Sequence, residues 1–331
     1  MRRRLAALAA ATGSVATLAY ALWDVDLAAL RQSLRGLHVW VLGPFLAVLA
    51  AFYLINARRW VLMLRPFGCF RISQAAPAMM IGFAGNNVLP LRLGELVRTV
   101  VFAASTGQPR SGVLATLVAE RLLDLVAILA VFALGLALLE GSQPAFQVSA
   151  WIAGAALTGL ATAIAFLVGW PGQAGRFYSR MSKTLPDAIA NRGAIYFAEF
   201  QRGFSFLRNL RLAVEVAALS LARWLLAVLL VWLSLAGYGE DISMALAMVV
   251  LGVTAFVVSL PSAPGFVGPI QAAFVFALMP FGQTQETALA ASILFLIGHW
   301  LPVTALGAAY FLGHHLSYRE IRSEAQAIAD D

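Results

Sequence analysis

The chain alternates between apolar segments and short polar stretches, and the lengths of the apolar segments predict how it folds. Three of the segments are too short to cross a membrane alone. As helices they would be only about 20 to 24 Å long, whereas the hydrocarbon core of a bilayer is about 30 Å thick. Each short segment joins a neighbour through a break that is rich in proline and glycine. The ten apolar segments are 5–23, 39–57, 74–89, 93–105, 112–139, 150–170, 212–236, 243–260, 266–280 and 287–312, of which 74–89, 93–105 and 266–280 are the short ones.

This pattern predicts an all-α polytopic membrane protein with about six full spans. The short segments pair with their neighbours into two re-entrant or broken helical hairpins, 74–105 and 243–280. We expect a single transmembrane domain, 1–331, with a first half of about 1–140 and a second half of about 150–331. The apolar run that follows the N-terminal MRRR is long enough to span, so we interpret it as an uncleaved first helix.

The distribution of basic residues predicts the orientation of the spans. The external segments contain only Arg31 and Arg35, whereas the other connecting segments contain most of the basic residues, which is typical of the cytoplasmic side. This places both termini in the cytoplasm and requires each hairpin to return to the side it entered from. Opposite entry of the two hairpins is what an inverted repeat predicts. The cytoplasmic basic residues would be Arg2, Arg3, Arg4, Arg58, Arg59, Arg65, Arg71, Arg110, the seven of 171–211, Arg319 and Arg322.

Composition supports a membrane location and argues against nucleic-acid binding. The chain of 331 residues is 61% apolar and 12% charged, whereas soluble proteins have about 25% charged residues. The net charge of +7 comes from loops between spans, so membrane topology explains it. A single cysteine, Cys69, excludes an internal disulfide. The sequence shows no catalytic motif, metal-ligand spacing or cofactor motif, and none is predicted.

The first break, residues 86–98, is the most informative polar stretch. A charged side chain at mid-bilayer costs at least ~2.5–3.5 kcal/mol, so it usually faces a cavity or a partner. The helix that starts near Leu93 would direct its first backbone N–H groups into that cavity, as in an anion site. An arginine there suits bidentate phosphate binding. Glu95 and Arg98 share a helical face and can pair, so a buried ion pair that holds a bent helix is the alternative. The candidate binding residues are Asn86, Asn87, Pro90, Arg92, Gly94, Glu95 and Arg98.

A second charged cluster lies inside the long span 112–139. Glu120 and Asp124 share one helical face, and Arg121 lies three residues from Asp124. The excess arginines of the first break are the expected partners of these carboxylates. The carboxylates could couple transport to protons or hold the arginines in place; structural pairing is the favoured interpretation because buried charges need partners.

The second break, residues 259–269, carries no charge. We expect it to expose backbone donors and carbonyls opposite the first break; a simple kink is the alternative. Two other polar residues in spans receive lesser roles: His299 as a packing residue, and Arg223 as a side chain that snorkels to the surface. The candidate binding residues of the second break are Pro261, Pro264, Gly265, Gly268 and Gln271.

The loop 171–211 is the one sizeable polar segment. Basic residues alternate with aromatic and aliphatic ones from Asp187 to Leu210. This is typical of an amphipathic helix on an anionic leaflet, and a solvated loop held by the positive-inside bias is the alternative.

Three stretches in this order resemble one family: NNVLPLRLGELVR, RSGVLATLVAERLLDLVAI (110–128) and LPSAPGFVGPIQAA (260–273). It is the flippase-like integral membrane family that includes the transmembrane region of lysylphosphatidylglycerol synthases, the multiple peptide resistance factors. The resemblance covers essentially the whole chain. It implies a protein that moves a lipid between leaflets, such as an aminoacylated phosphatidylglycerol or a lipid of polyprenyl-linked sugar or hopanoid pathways.

Two departures from the family pattern limit what the resemblance implies. The sequence ends at Asp331, so we expect no soluble aminoacyl-transfer domain and no tRNA-dependent lysylation. At the second break, Phe266 replaces a glycine of the family pattern and Gln271 replaces its glutamate. A protonatable carboxylate is therefore missing there.

These observations predict a translocase of the bacterial cytoplasmic (inner) membrane that binds an anionic or phosphate-bearing lipid between the two breaks. Its expected partners are membrane lipids, with no nucleic acid and no cofactor. One alternative is an intramembrane transferase with Glu95, Glu120 or Asp124 as base. Another is a non-transporting partner of a lipid-modifying or glycosyl-transfer enzyme, which it would contact through 171–211.

Overall fold

The computed structural model describes residues 2–23, 25–89, 93–139, 144–182, 193–194, 197–198, 201–240, 242–259 and 264–313. These residues contain helices and no strand, so the chain is an all-α membrane protein as predicted. The principal helices are α1 (Arg2–Ala21), α2 (Leu27–Arg35), α3 (Leu42–Met63), α4 (Ile72–Val88), α5 (Gly94–Thr106), α6 (Arg110–Leu138), α7 (Pro144–Gly169), α8 (Pro171–Met181), α9 (Leu210–Ala236), α10 (Met244–Ser259), α11 (Pro269–Leu278) and α12 (Gln285–Gly313).

Five helical stretches of the described residues are long and apolar enough to cross a membrane. They are Val39–Met63, Arg110–Leu138, Leu210–Ala236, Pro264–Phe281 and Gln285–Gly313. The fourth consists of α11 with the short helical turns on either side of it, which the sequence assigns to the second hairpin. The count of about six full spans therefore stays a prediction.

The first hairpin consists of α4 and α5, which pack tightly against each other. Gly94, the first residue of α5, lies so close to α4 that a Cβ atom there would overlap the carbonyl oxygen of Gly82 and the backbone nitrogen of Asn86. A Cβ on Gly82 would lie 2.9 Å from the carbonyl oxygen of Gly94. Because neither glycine has a side chain, the two helices can meet backbone to backbone.

The second hairpin consists of α10 and α11, joined by a turn with left-handed backbone. Gly265 has a φ of 76°, Phe266 of 58° and Gly268 of 94°. Glycine adopts such angles without strain. Gly268 also lets α11 approach α1, because a Cβ there would overlap the carbonyl oxygen of Ser14.

The long helices of the two halves pair in antiparallel fashion. Arg58, near the end of α3, forms an ion pair of 2.9 Å with Glu215, near the start of α9. At the other extreme, Val41 packs against Gly237, and the N–H of His38 donates to the carbonyl of Gly237 at 2.7 Å. We call the end of the molecule at Arg58 and Glu215 the arginine end, and the end at Val41 and Gly237 the opposite end.

The hairpins make reciprocal contacts with the long helices. Asn87 of α4 bonds to Thr304 of α12, and Gly307 of α12 packs on Met80, so these helices run antiparallel. In the same way, α10 packs antiparallel to α6, with Gly252 against Phe132 and Ala245 against Gly135. The first hairpin starts after the end of α3, at the arginine end. The second starts beside the end of α6, at the opposite end. The order α3–α4–α5–α6 thus has the same contacts as α9–α10–α11–α12.

One expectation about an individual segment is wrong, and another is tested at two residues only. The sequence places Arg58 and Arg59 in a connecting segment after a span that ends at residue 57, whereas α3 continues to Met63 and Arg59 is completely buried. In the loop 171–211, Phe204 and Phe206 pack into an apolar cluster with Leu62 and Met63 of α3, so these two side chains do not face a lipid surface. Much of the remaining amphipathic stretch lies outside the described residues.

Candidate functional site

The described residues at the tips of the two hairpins, Asn87 and Gly265, lie close together beside α12. A Cβ on Gly265 would lie 3.6 Å from the backbone carbonyl oxygen of Asn87 and 3.1 Å from Nε1 of Trp300. The side-chain amide of Asn87 donates to Oγ1 of Thr304 at 2.9 Å and to the carbonyl of Trp300 at 3.5 Å. The second break therefore lies opposite the first, as the sequence predicts. Three candidates of the breaks lie outside the described residues: Pro90, Arg92 and Pro261.

A cavity of about 210 Å³ lies between the two tips. Asn86 and Asn87 contribute polar side chains from the first break, and His299 contributes an imidazole from α12. The other lining residues are mostly aromatic and aliphatic: Tyr53, Phe83, Gly265, Phe266, Ile270, Phe295, Leu296, Trp300 and Val303. The carboxamide oxygen of Asn86 is buried without a hydrogen-bond partner, which leaves a polar atom of the cavity wall unsatisfied.

An apolar groove of about 330 Å³ adjoins the cavity. Tyr53 and Val303 line both the cavity and the groove. The rest of the groove comes from α3, α4 and α12 and is almost entirely aliphatic: Leu46, Leu49, Ala50, Leu54, Ala57, Ile72, Ala76, Met79, Met80, Pro302, Leu306 and Tyr310. Leu46, Leu54 and Leu306 are exposed on the outer surface, so the groove opens toward lipid. A cavity that contains the polar side chains of Asn86, Asn87 and His299 thus shares a wall with an apolar groove.

Pro264, Gly268 and Gln271 of the second break have observable backbone roles. Pro264 starts the short helical turn Pro264–Phe266, and Gly268 precedes α11. The backbone N–H of Gly268 donates to the side-chain oxygen of Gln271 at 2.7 Å, and Gln271 is buried. Gln271 therefore stabilises the start of α11 with its amide. None of these three residues lines the cavity described above.

Behind the cavity, toward the arginine end, lies a network of buried charges centred on Asp124. This carboxylate forms ion pairs with Arg59 of α3 and, at 2.7 Å, with Arg223 of α9. Arg59 also donates to Oδ1 of Asn56 at 3.1 Å and to Oγ of Ser220 at 3.2 Å. The three helices α3, α6 and α9 are thereby joined through one carboxylate.

Glu120 forms the second centre of the network. Both of its oxygens accept from the guanidinium of Arg98, at 3.0 and 3.3 Å, and one lies 3.3 Å from Arg59. The Arg98 guanidinium also stacks on Trp60, 3.7 Å from the ring centroid. Glu95 instead pairs with Arg121 at 3.0 Å, and the Arg121 side chain is 39% exposed. Arg98 thus has the carboxylate partner on α6 that the sequence predicts, Glu120. Glu95 does not pair with Arg98 as the alternative predicts, and it pairs with Arg121 of α6 instead.

The network contains four arginines and three carboxylates among the described residues, so its formal charge is +1. Its members are Arg59, Arg98, Arg121, Arg223, Glu95, Glu120 and Asp124. Buried charges of one sign are costly unless balanced, and here the excess is positive. The arrangement can therefore attract an anion.

Sequence reasoning missed two of these arginines. The apolar pattern places Arg59 in a loop, although the apolar run resumes directly after it at 60–64, a signal that the helix continues. The sequence predicts that Arg223 snorkels to the surface, but Arg223 is buried because Asp124 offers a partner within reach.

An aromatic layer lies between the charged network and the cavity. The guanidinium of Arg223 lies 5.1 Å from the ring of Phe52, and that of Arg98 lies 5.9 Å from the ring of Phe83. Tyr53 contacts both rings, at centroid distances of 5.0 and 5.6 Å. Tyr53 and Phe83 also line the cavity. The network and the cavity are therefore adjacent compartments.

No group of three or more potential metal-binding side chains occurs within the described ranges. The substrate-binding role of the candidate residues stays a prediction.

Comparison with known proteins places the chain in a family. A family model described as "Lysylphosphatidylglycerol synthase TM region" matches residues 4–307. The chain is also 25% identical over 254 residues to a "UPF0104 membrane protein" of Methanothermobacter thermautotrophicus, an alignment that covers 70% of this chain and 73% of that protein. No solved structure matches the chain. The resemblance inferred from the three sequence stretches is thus confirmed over nearly the whole chain, which belongs to the lysylphosphatidylglycerol synthase transmembrane-region family.

Proposed function

We propose that the protein is a lipid translocase, which moves an anionic or phosphate-bearing lipid between the leaflets of the membrane. The observation that carries this proposal is the shared wall of Tyr53 and Val303 between the apolar groove and the cavity that contains Asn86, Asn87 and His299. An amphipathic molecule can occupy both compartments at once, with its headgroup in the cavity and an acyl chain in the groove. Membership of a family linked to lipid handling is consistent with this proposal.

The main barrier to lipid movement is the loss of headgroup hydration. Transfer of an ion from water to a medium of low dielectric costs on the order of 20 kcal/mol in the idealised case. The cavity can offset part of this cost with the carboxamides of Asn86 and Asn87 and with backbone groups at the two tips. The network beyond the aromatic layer adds a field of formal charge +1, which favours an anion.

In this proposal the buried arginines do not contact the lipid headgroup directly. Arg98 is buried, its guanidinium donates two hydrogen bonds to Glu120 and it stacks on Trp60, so we assign it to positioning and to the electrostatic field. Direct contact with the headgroup is proposed for Arg92, Asn86 and Asn87. The carboxylates Glu120 and Asp124 hold the arginines in place.

The reciprocal antiparallel contacts of α3–α6 and α9–α12 support an inverted repeat with its axis in the membrane plane, a common transporter architecture. We place the arginine end on the cytoplasmic side, following the distribution of basic residues. In this orientation the first hairpin enters from the cytoplasm and the second from the outside.

The test is a leaflet-exchange assay in proteoliposomes with fluorescent phosphatidylglycerol and a membrane-impermeant quencher. Ala50 lines the groove and is exposed, so Ala50→Trp fills the groove without overpacking the core. We expect the variant to lower the exchange rate by about tenfold or more. Ala47→Trp, exposed on the same helix and outside the groove, is the matched control and keeps the wild-type rate.

Wild-type protein that exchanges phosphatidylglycerol no faster than empty liposomes would contradict the proposal. Equal rates for Ala50→Trp and Ala47→Trp would show that the groove is not the path. Mass spectrometry of the recovered lipid distinguishes translocation, which leaves the mass unchanged, from a transferase reaction.

A further inference from the structure

His299 is an ionisable side chain in the cavity wall that the proposed function does not use. Its imidazole is enclosed by aromatic rings, with Phe45, Phe52 and Phe295 at centroid distances of 5.9, 6.1 and 4.6 Å. The imidazole is therefore packed among aromatic rings of α3 and α12 in the cavity wall.

One ring nitrogen has a defined role. Nδ1 lies 3.1 Å from the backbone carbonyl oxygen of Phe295. Because a carbonyl only accepts, Nδ1 carries the hydrogen, and Nε2 of the neutral ring is left with a lone pair. Within the described residues no hydrogen bond to Nε2 is found, and the ring lines the cavity. A proton can therefore be added at Nε2 without breaking the bond to Phe295.

The other ionisable groups around His299 bear on its charge. From α3, Tyr53 lines the same cavity. From α9, Arg223 lies on Phe52, which also contacts His299, and Asp124 of α6 pairs with Arg223 beyond it. The described cavity residues of α4, of α11 and of the turn before α11 are uncharged. No carboxylate lines the described cavity wall, so an imidazolium there has no protein anion as a direct partner.

We propose that His299 takes up one proton when an anionic headgroup enters the cavity, so that lipid and proton cross the membrane together. An N–H bond forms at Nε2 with a proton from water on the entry side, and the proton returns to water on the exit side. The bound anion is the counter-ion that the cavity wall lacks. A singly charged lipid and its proton form a neutral pair, which lowers the cost of burial. This inference rests on the proposed translocase function.

The first test measures proton uptake on lipid binding. The full chain in detergent, in a weakly buffered solution with a pH indicator, is mixed with short-chain phosphatidylglycerol or with zwitterionic phosphatidylcholine. We expect wild-type protein to take up a proton with phosphatidylglycerol only, and His299→Gln to take up none. His38→Gln, which removes an exposed histidine outside the cavity, is the matched control and behaves as wild type.

The second test does not depend on a variant. If one proton binds with each lipid, the Kd of wild-type protein for phosphatidylglycerol falls as the pH falls, with a slope that approaches tenfold per pH unit. A slope of zero in wild type overturns the inference even where His299→Gln does not fold. Proton uptake by His299→Gln equal to that of wild type also overturns it.

The failure of this inference can be told apart from failure of the proposed function. Exchange of phosphatidylglycerol in proteoliposomes without proton uptake contradicts the role of His299 and leaves the translocase intact. Absence of exchange in wild type contradicts the translocase itself.

Discussion

At the scale of single residues, the main feature is a network of largely buried charges that pair with each other. Asp124 accepts from Arg59 and pairs with Arg223, and Glu120 pairs with Arg98 and Arg59. Each ion is expensive to bury alone, and removal of one partner leaves the other uncompensated. Removal of one charged side chain is therefore expected to lower the free energy of unfolding by more than the net contribution of any one ion pair.

Asp124→Asn keeps the shape of the side chain and removes its charge. Because Arg59 and Arg223 both lose their common partner, we expect a loss of about 3–5 kcal/mol in the free energy of unfolding. Thermal unfolding of the purified protein in detergent measures the loss. Glu215→Gln removes the carboxylate of an ion pair that is 37% exposed on the glutamate side, and such pairs contribute at most about 1 kcal/mol. Equal effects of the two substitutions would contradict this assignment.

The pair of Arg98 and Glu120 is suited to a double-mutant cycle. Arg98→Met and Glu120→Gln each strand one buried charge or polar group, whereas the double variant removes both ions. We expect a coupling energy of about 0.5–3 kcal/mol, so that the double variant is more stable than the sum of the single effects predicts. Strict additivity would show that the two side chains do not stabilise each other.

At the scale of helices, close backbone contact shapes the first hairpin. Gly94 and Gly82 bring α4 and α5 together without intervening side chains, and this contact holds α5 in place beside the first break. Packing of the two short helices on each other is thereby close, although neither is among the helices that are long and apolar enough to cross a membrane.

Gly94→Ala tests this contact. The added methyl group overlaps the backbone of α4, and overpacking of this kind costs about 1–3 kcal/mol. Gly43→Ala is the matched control, because nothing lies within 4 Å of its Cβ position and alanine favours a helix by up to about 1 kcal/mol. Opposite shifts in Tm are therefore expected from the same chemical change. An unchanged Tm of Gly94→Ala would mean that α4 and α5 can move apart without loss of stability.

At the scale of the whole molecule, two hairpins enter from opposite ends and meet at Asn87 and Gly265. Their meeting point creates the cavity, and α3, α4 and α12 form the groove beside it. The charged network lies on one side of this point only, which makes the two ends of the protein electrically different. The charges are thus distributed asymmetrically although the helices of the two halves make corresponding contacts.

The orientation can be tested with the single cysteine of the chain. Cys69 is exposed in the connection between α3 and α4, at the arginine end. If this end is cytoplasmic, as proposed, a membrane-impermeant maleimide labels Cys69 only after the cell membrane is made permeable. In a Cys69→Ser background, Gln32→Cys on α2 is expected to react in intact spheroplasts. The reverse pattern would place the arginine end outside.

The sequence by itself determined the all-α membrane character, the positions of most helices and the two breaks. These features depend on local composition and helical length, which the chain displays directly. It also indicated that Arg98 needs a carboxylate from the span that contains Glu120, because buried charge requires a partner. Only the tertiary structure decided that Arg59 and Arg223 join Asp124, that Glu95 pairs with Arg121, and that His299 lines the cavity. Helical periodicity shows which residues share a face but not which helix lies opposite, and ion pairing depends on distances that only packing fixes.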